Sequence, residues 1–206
     1  MIIGIVDVGI GNIGSLTGVL NYLGLNTKLL EQPKDFANCT HLILPGVGTF
    51  NEGMTRLRAM NIAESIIDFA HSGRPTLGIC LGMHLLATSG EEGGVNTGLS
   101  LIPGNITHLP VLNGYRLPHI GWNTVAELKH HPLTKGFKQS VDFYFVHSYC
   151  FNPASVESMV GITDYGIEFC SCVGKENVFG VQFHPEKSQR NGMILLENFC
   201  SWDGNA

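Results

Sequence analysis

The chain has 206 residues, of which 44% are hydrophobic and only 14% charged, with a formal net charge of −5. At that length folding buries roughly 70% of the unfolded surface, so a single domain over residues 1–206 needs no disulfide or metal to hold it. The sparse charge argues against a disordered chain or coiled coil. The acidic balance, with no block of Lys or Arg, argues against nucleic acid as a main partner, and no apolar run nears the ~18 residues that span a membrane.

Apolar runs alternate with helical stretches through the first half. Residues 2–8 read as a buried strand, interrupted by Asp7 and too short for a signal peptide. Residues 12–23 put Ile13, Leu16, Leu20 and Leu23 on one helical face. Strands are expected at 26–31 and 41–44, helices at 50–59 and 62–72, a fourth strand at 75–79 and a helix at 81–88. Strands alternating with helices predict parallel pairing in a doubly wound α/β sheet. The second half reads differently. Residues 105–109, 141–147, 158–163, 168–173 and 177–183 are short β-rich runs between Gly, Asn and Pro, which add hairpins and make the sheet mixed. Residues 187–202 return to helix, with Met193, Leu196 and Phe199 expected toward the core.

The six cysteines (Cys39, Cys80, Cys150, Cys170, Cys172, Cys200) form no CxxC pair and no finger spacing. With no export signal they are expected as reduced thiols of a cytoplasmic protein. Alternation along a strand would put Cys170 and Cys172 on one face of the sheet. Neither a metal nor a cofactor is expected.

Gly9-Ile10-Gly11-Asn12-Ile13-Gly14 matches GxGxxG after a strand and before a helix, with Glu31 where a ribose-binding acid belongs. A dinucleotide-binding module is one reading. A tight strand-to-helix turn, or a loop that touches a partner or its ligand, are two others, and stronger chemistry elsewhere favours these.

That chemistry begins at Leu77-Gly78-Ile79-Cys80-Leu81-Gly82-Met83. An apolar strand runs into a cysteine flanked by Gly78 and Gly82 and continues as helix, the strand-to-helix elbow that exposes a nucleophile. The positive end of the following helix favours thiolate. A thiolate needs a base with an orienter. His184 is the best placed of nine histidines: a strand ends there, Pro185 stops it, and Glu186 can turn back to the imidazole. His119 and His147 are second candidates, and His130-His131 reads as exposed loop. Attack on an amide builds negative charge on oxygen, which two backbone N–H groups can hold. The Pro45-Gly46-Val47-Gly48 turn offers that of Val47, and Leu81 follows the nucleophile.

These three segments, in this order, resemble class I glutamine amidotransferases. Residues 11–14, 118–123, 143–149 and 180–188 are similar to the branch that serves imidazole glycerol phosphate synthase in histidine biosynthesis, and the resemblance runs from Ile2 to about Trp202. It implies that Cys80 attacks the glutamine amide, ammonia leaves, and water hydrolyses the glutamyl thioester to glutamate. It implies a (β/α)₈-barrel synthase (cyclase) subunit as heterodimeric partner and acceptor of the ammonia, with weak glutaminase activity until that partner holds its nucleotide. By motif position Gly48, His84, Glu92, Ser148 and Tyr149 would contact glutamine, and Asn12 and Trp122 would lie toward the partner and the ammonia exit. His84 departs from the family, which usually has Gln there. The departure keeps open a paralogue that feeds a sugar-amidating synthase.

Overall fold

The computed structural model describes residues 1–110, 114–126 and 128–205. The first half supplies β1 (Ile3–Val6), α1 (Ile13–Tyr22), β2 (Thr27–Leu30), β3 (His41–Gly46), α2 (Phe50–Ala59), α3 (Ala63–His71), β4 (Thr76–Cys80) and α4 (Leu81–Leu85). The second supplies β5 (Ser89–Gly90), β6 (Asn96–Thr97), β7 (Gly104–His108), β8 (His119–Val125), β9 (Val141–His147), β10 (Tyr149–Pro153), β11 (Met159–Asp164), β12 (Glu168–Lys175), β13 (Val178–Val181) and α5 (Gln189–Ser201).

The main sheet runs β2-β1-β3-β4-β13-β12-β10-β7-β5-β6, with β11 paired to β12. From β2 to β13 neighbouring strands are parallel. The β13–β12, β12–β10, β10–β7 and β11–β12 pairs are antiparallel. The result is the doubly wound mixed sheet that the two halves of the sequence predict. Residues of β1, β3, β4 and β13 are buried throughout, as strands covered by helices on both faces must be. On α1, Leu16 and Leu20 face the core while Ile13 and, just past the helix, Leu23 are half-buried. On α5 the core is met by Leu195, Leu196, Phe199 and Cys200, with Met193 only half-buried.

Three parallel neighbours fix where the chemistry sits. In register, Gly46 lies opposite Cys80, and Ile79 opposite Val181. The ends of β3, β4 and β13 therefore open on one edge, the carboxyl edge where parallel sheets bind ligands. The β8–β9 hairpin forms a second, two-stranded sheet. Its strand β8 carries no clear signal in the sequence: Gly121, Trp122 and Asn123 break the apolar alternation that marks a strand. Both β5 and β6 are two residues long, too short for a periodic signal.

The two cysteines of β12 do not share a face. Pairing with β11 slips between Gly161 and Ile162, which sets Cys172 opposite Gly161 and Cys170 opposite Ile162. That bulge breaks the alternation, and the side chains enter different core clusters. His131 is buried as well, against the exposed-loop expectation. Its Nδ1 accepts from Leu133 N at 3.1 Å, and its ring lies 4.5 Å from that of Phe179.

Candidate active site

Cys80 ends β4 and precedes α4 with φ of 53°, a left-handed backbone rare outside glycine. The flanking glycines make this possible. A Cβ on Gly82 would overlap the Leu44 carbonyl oxygen, and one on Gly78 would sit 2.7 Å from the Gly82 oxygen. Helix α4 thus folds flat onto β3 and β4 and leaves Cys80 at the turn. Cys80 is 7% exposed, and its thiol reaches the Val146 carbonyl at 3.8 Å.

His184 stands just past β13. Its backbone N–H donates to Tyr144 O at 2.9 Å. Ser188 Oγ donates to His184 O at 2.7 Å and accepts from Tyr144 N at 3.0 Å, so one hydroxyl clamps the turn onto β9. Glu186 returns to the ring: Nδ1 donates to Oε1 at 2.9 Å, and both side chains are about 3% exposed. With Nδ1 so engaged, Nε2 is buried with no nitrogen or oxygen partner. Burial pushes the imidazolium down, but hydrogen bonds and charge from Cys80 and Glu186 outweigh it and raise the His184 pKa to about 10. The geometry therefore favours the charged form of the His184 ring, set between the Cys80 side chain and the Glu186 carboxylate.

Beside the thiol is a cavity of about 210 Å³ lined by Val47, Gly48, Cys80, Leu81, His84, Glu92, Val146, His147, Ser148 and Tyr149. Both expected oxyanion residues and all five expected glutamine contacts are in its wall. Gly48 has φ of +108°, which admits glycine and strains other residues. Glu92 Oε2 accepts from Phe50 N at 3.1 Å, and burial raises its pKa although that bond opposes the rise. His84 Nε2 meets Gln182 Oε1 at 2.7 Å, and burial drives the ring to a pKa of about 4. No lysine or arginine lines this space.

Asn12 lies elsewhere, in a narrow void behind the nucleophile with Pro45, Ile79, His184 and Glu186. Trp122 is half exposed on β8, edge-on to Tyr144 at 6.3 Å. His119 and His147 bond each other at 2.9 Å, and only His147 reaches the cavity. Nothing local in the sequence marks Gln182 and Ser188, whose contacts are with residues 98 and 44 positions away.

The N-terminal glycines serve a turn. Gly9 has φ of +74°, but a Cβ on Gly14 would meet nothing within 4 Å. In a dinucleotide fold the third glycine is there for close helix–strand approach, which Gly14 does not make. Glu31 is exposed.

A strand-to-helix cysteine, a His–Glu pair and a cavity beside the thiol define an amide-cleaving site of the cysteine type. Residues 4–201 match the family model "Glutamine amidotransferase class-I", and the chain belongs to that family. An "Imidazole glycerol phosphate synthase subunit HisH" of Desulfitobacterium hafniense is 45% identical over 200 residues, 97% of this chain and 94% of that protein. One from Moorella thermoacetica is 43% identical over 197 residues, 96% and 93% of the two chains. HisH 2 of Methanococcus maripaludis is 40% identical over 198 residues, 96% and 98%. Among solved structures, PurLQS from Thermotoga maritima superposes with TM-score 0.75 at 18% identity, covering 97% of each chain. A glutamine amidotransferase of the same organism gives 0.69 at 17%, covering 98% of this chain and 83% of that one. At that identity the two structures speak for the fold. No helix among the described residues is long and apolar enough to cross a membrane.

Proposed function

We propose that the chain is the glutaminase subunit of an imidazole glycerol phosphate synthase, with Cys80, His184 and Glu186 as its catalytic triad. The observation that carries this is the convergence of Cys80 with the 2.9 Å His184–Glu186 pair beside the cavity that holds Gly48 and Glu92. The relatives' names favour the histidine branch over a sugar-amidating paralogue.

The Cys80 thiolate attacks the side-chain carbonyl carbon of glutamine. A tetrahedral oxyanion forms, and the N–H groups of Val47 and Leu81 receive it. Each such donor is worth roughly 3–4 kcal/mol of barrier. His184 gives its Nε2 proton to the departing nitrogen, the C–N bond breaks, and ammonia and a glutamyl thioester remain. Water then adds to the thioester, loses a proton to His184, and expels the Cys80 sulfur as glutamate forms. Glu186 holds Nδ1–H throughout and so keeps Nε2 on the reacting side. Glu92 faces the substrate's ammonium group. The substrate carboxylate is left to backbone N–H groups near Ser148 and Tyr149, since the cavity wall has no lysine or arginine and the single N–H of neutral His84 is spent on Gln182 Oε1.

Ammonia released into bulk water would be protonated, so the product calls for a partner on the carboxyl edge. A cyclase subunit built as a (β/α)₈ barrel fits this role, seated against the exposed Ile120, Trp122 and Val47. The experiment is glutamate release by the chain with and without the barrel subunit and its nucleotide ligand. We expect turnover that Cys80→Ala abolishes and the liganded partner raises. Turnover that survives Cys80→Ala would overturn the assignment of the nucleophile.

A further inference from the structure

A chain of three side chains and one backbone carbonyl crosses the β8–β9 hairpin and ends in the cavity wall. Asn123 Nδ2 approaches His119 Nε2 at 3.3 Å, His119 Nδ1 meets His147 Nε2 at 2.9 Å, and His147 Nδ1 meets Tyr149 O at 2.8 Å. The backbone fixes its polarity at both ends. A carbonyl only accepts, so His147 Nδ1 carries the hydrogen and Nε2 must accept. His119 Nδ1 is then the donor, and its Nε2 accepts from Asn123. The amide of Asn123 is held the same way round, because its Oδ1 accepts from Thr124 N at 2.8 Å and its Nδ2 also donates to Asp164 O at 2.9 Å. Both rings are thereby held as the Nδ1–H tautomer. Both are buried, at 2% and 6% exposure, and burial keeps both neutral, at pKa values of about 4 and about 3.

We propose that His119 is a positioning residue for glutamine turnover, acting through His147 to set the wall of the glutamine cavity. This rests on the glutaminase reading above. His119 touches no part of the cavity; it lies flat between Tyr165, with centroids 3.9 Å apart, and Phe145, at 5.0 Å. Its bond holds His147, which lines the cavity and in turn holds the carbonyl of Tyr149, another lining residue. The same strand turns Ile120 and Trp122 outward, 59% and 50% exposed. Ile120 stands opposite Val146, whose carbonyl faces the Cys80 thiol. A partner seated on β8 therefore bears on the strand that holds the wall.

Two variants of the full-length chain separate donor from bulk. His119→Phe keeps a flat ring between Tyr165 and Phe145 but has no donor, while His119→Asn keeps an N–H at the position of Nδ1. Loss of one buried hydrogen bond predicts a rise in KM for glutamine of about tenfold in His119→Phe, with kcat within about threefold, and recovery to within about threefold in His119→Asn. The split favours KM because His184 is held separately, by Glu186 and Ser188. Ring-nitrogen NMR of the wild type should show both histidines as Nδ1–H, with a coupling across the shared bond. Equal KM values in the wild type and His119→Phe would overturn the proposal, as would equal defects in the two variants or an Nε2–H form of His147. Should His119→Phe not fold, the NMR tautomers and the glutamine affinity of His119→Asn, read by calorimetry on a Cys80→Ala background, decide the question. These readouts need no turnover, so a failed glutaminase reading stays distinguishable.

Discussion

Replacing Glu186 by Gln is the sharpest perturbation of the site. The carboxylate lies 2.9 Å from Nδ1, with both groups about 3% exposed. With charge centres ~4 Å apart and an effective dielectric of about 20, the attraction is on the order of 4 kcal/mol, or roughly three pK units. That attraction and the pull of Cys80 lift His184 to about 10 against burial. Without Glu186, burial regains part of the difference, and the pKa falls toward the ordinary histidine range while Cys80 still raises it. The sign follows. A pKa raised on folding contributes stability in full below the unfolded value near 6.5, and that contribution fades as pH rises through about 10. Glu186→Gln should therefore lose stability at neutral pH and show little further loss between pH 8 and 10. In glutaminase assays the alkaline limb should move acidward by about two to three units. The loss of tautomer control should lower kcat by roughly 10²–10⁴-fold. The assay is glutamate release against pH, with the barrel partner present, alongside the pH dependence of Cys80 alkylation. An unchanged alkaline limb with kcat within about threefold of wild type would show that the carboxylate neither charges nor orients the ring.

Burial pushes the thiols of Cys150, Cys170 and Cys200 to about 11, 12 and 12, raises Cys39, and lifts Cys172 well above the ordinary value. A glutamine-like chloroketone should accordingly label Cys80 alone, and peptide mass spectrometry showing label spread over several cysteines would count against the elbow. Gly82→Ala drives a methyl into the Leu44 carbonyl, so we expect a loss of about 3 kcal/mol or more in chemical denaturation; an unchanged midpoint would refute the close approach of α4 to β3. His84→Gln keeps a nitrogen at the position bonded to Gln182 and should leave thermal stability nearly unaltered. His84→Ala strands that buried amide at a cost of roughly 1–3 kcal/mol before any cavity is counted, and calorimetric scans of the two variants would separate them.

The parts of this protein that were legible in the residues are those set by short-range rules. Alternating strands and helices announced the parallel half. The two glycines around Cys80 announced the elbow, because only glycine lets α4 lie that close to β3 and β4. His-Pro-Glu announced a base with its orienter, since a turn of two residues suffices to bring Nδ1 to Oε1. What lay beyond those rules needed the assembled chain. The bulge that parts Cys170 from Cys172 arises from pairing with β11, a neighbour local alternation does not report. His131 is buried by Phe179 and Trp202, and His84 is bonded by Gln182, all from distant positions. The Asn123–His119–His147 relay exists only because β8 and β9 pair in one register. Hydrogen-bond direction in a buried network depends on which backbone carbonyl closes it. That is a property of packed strands, which a linear order of residues does not carry.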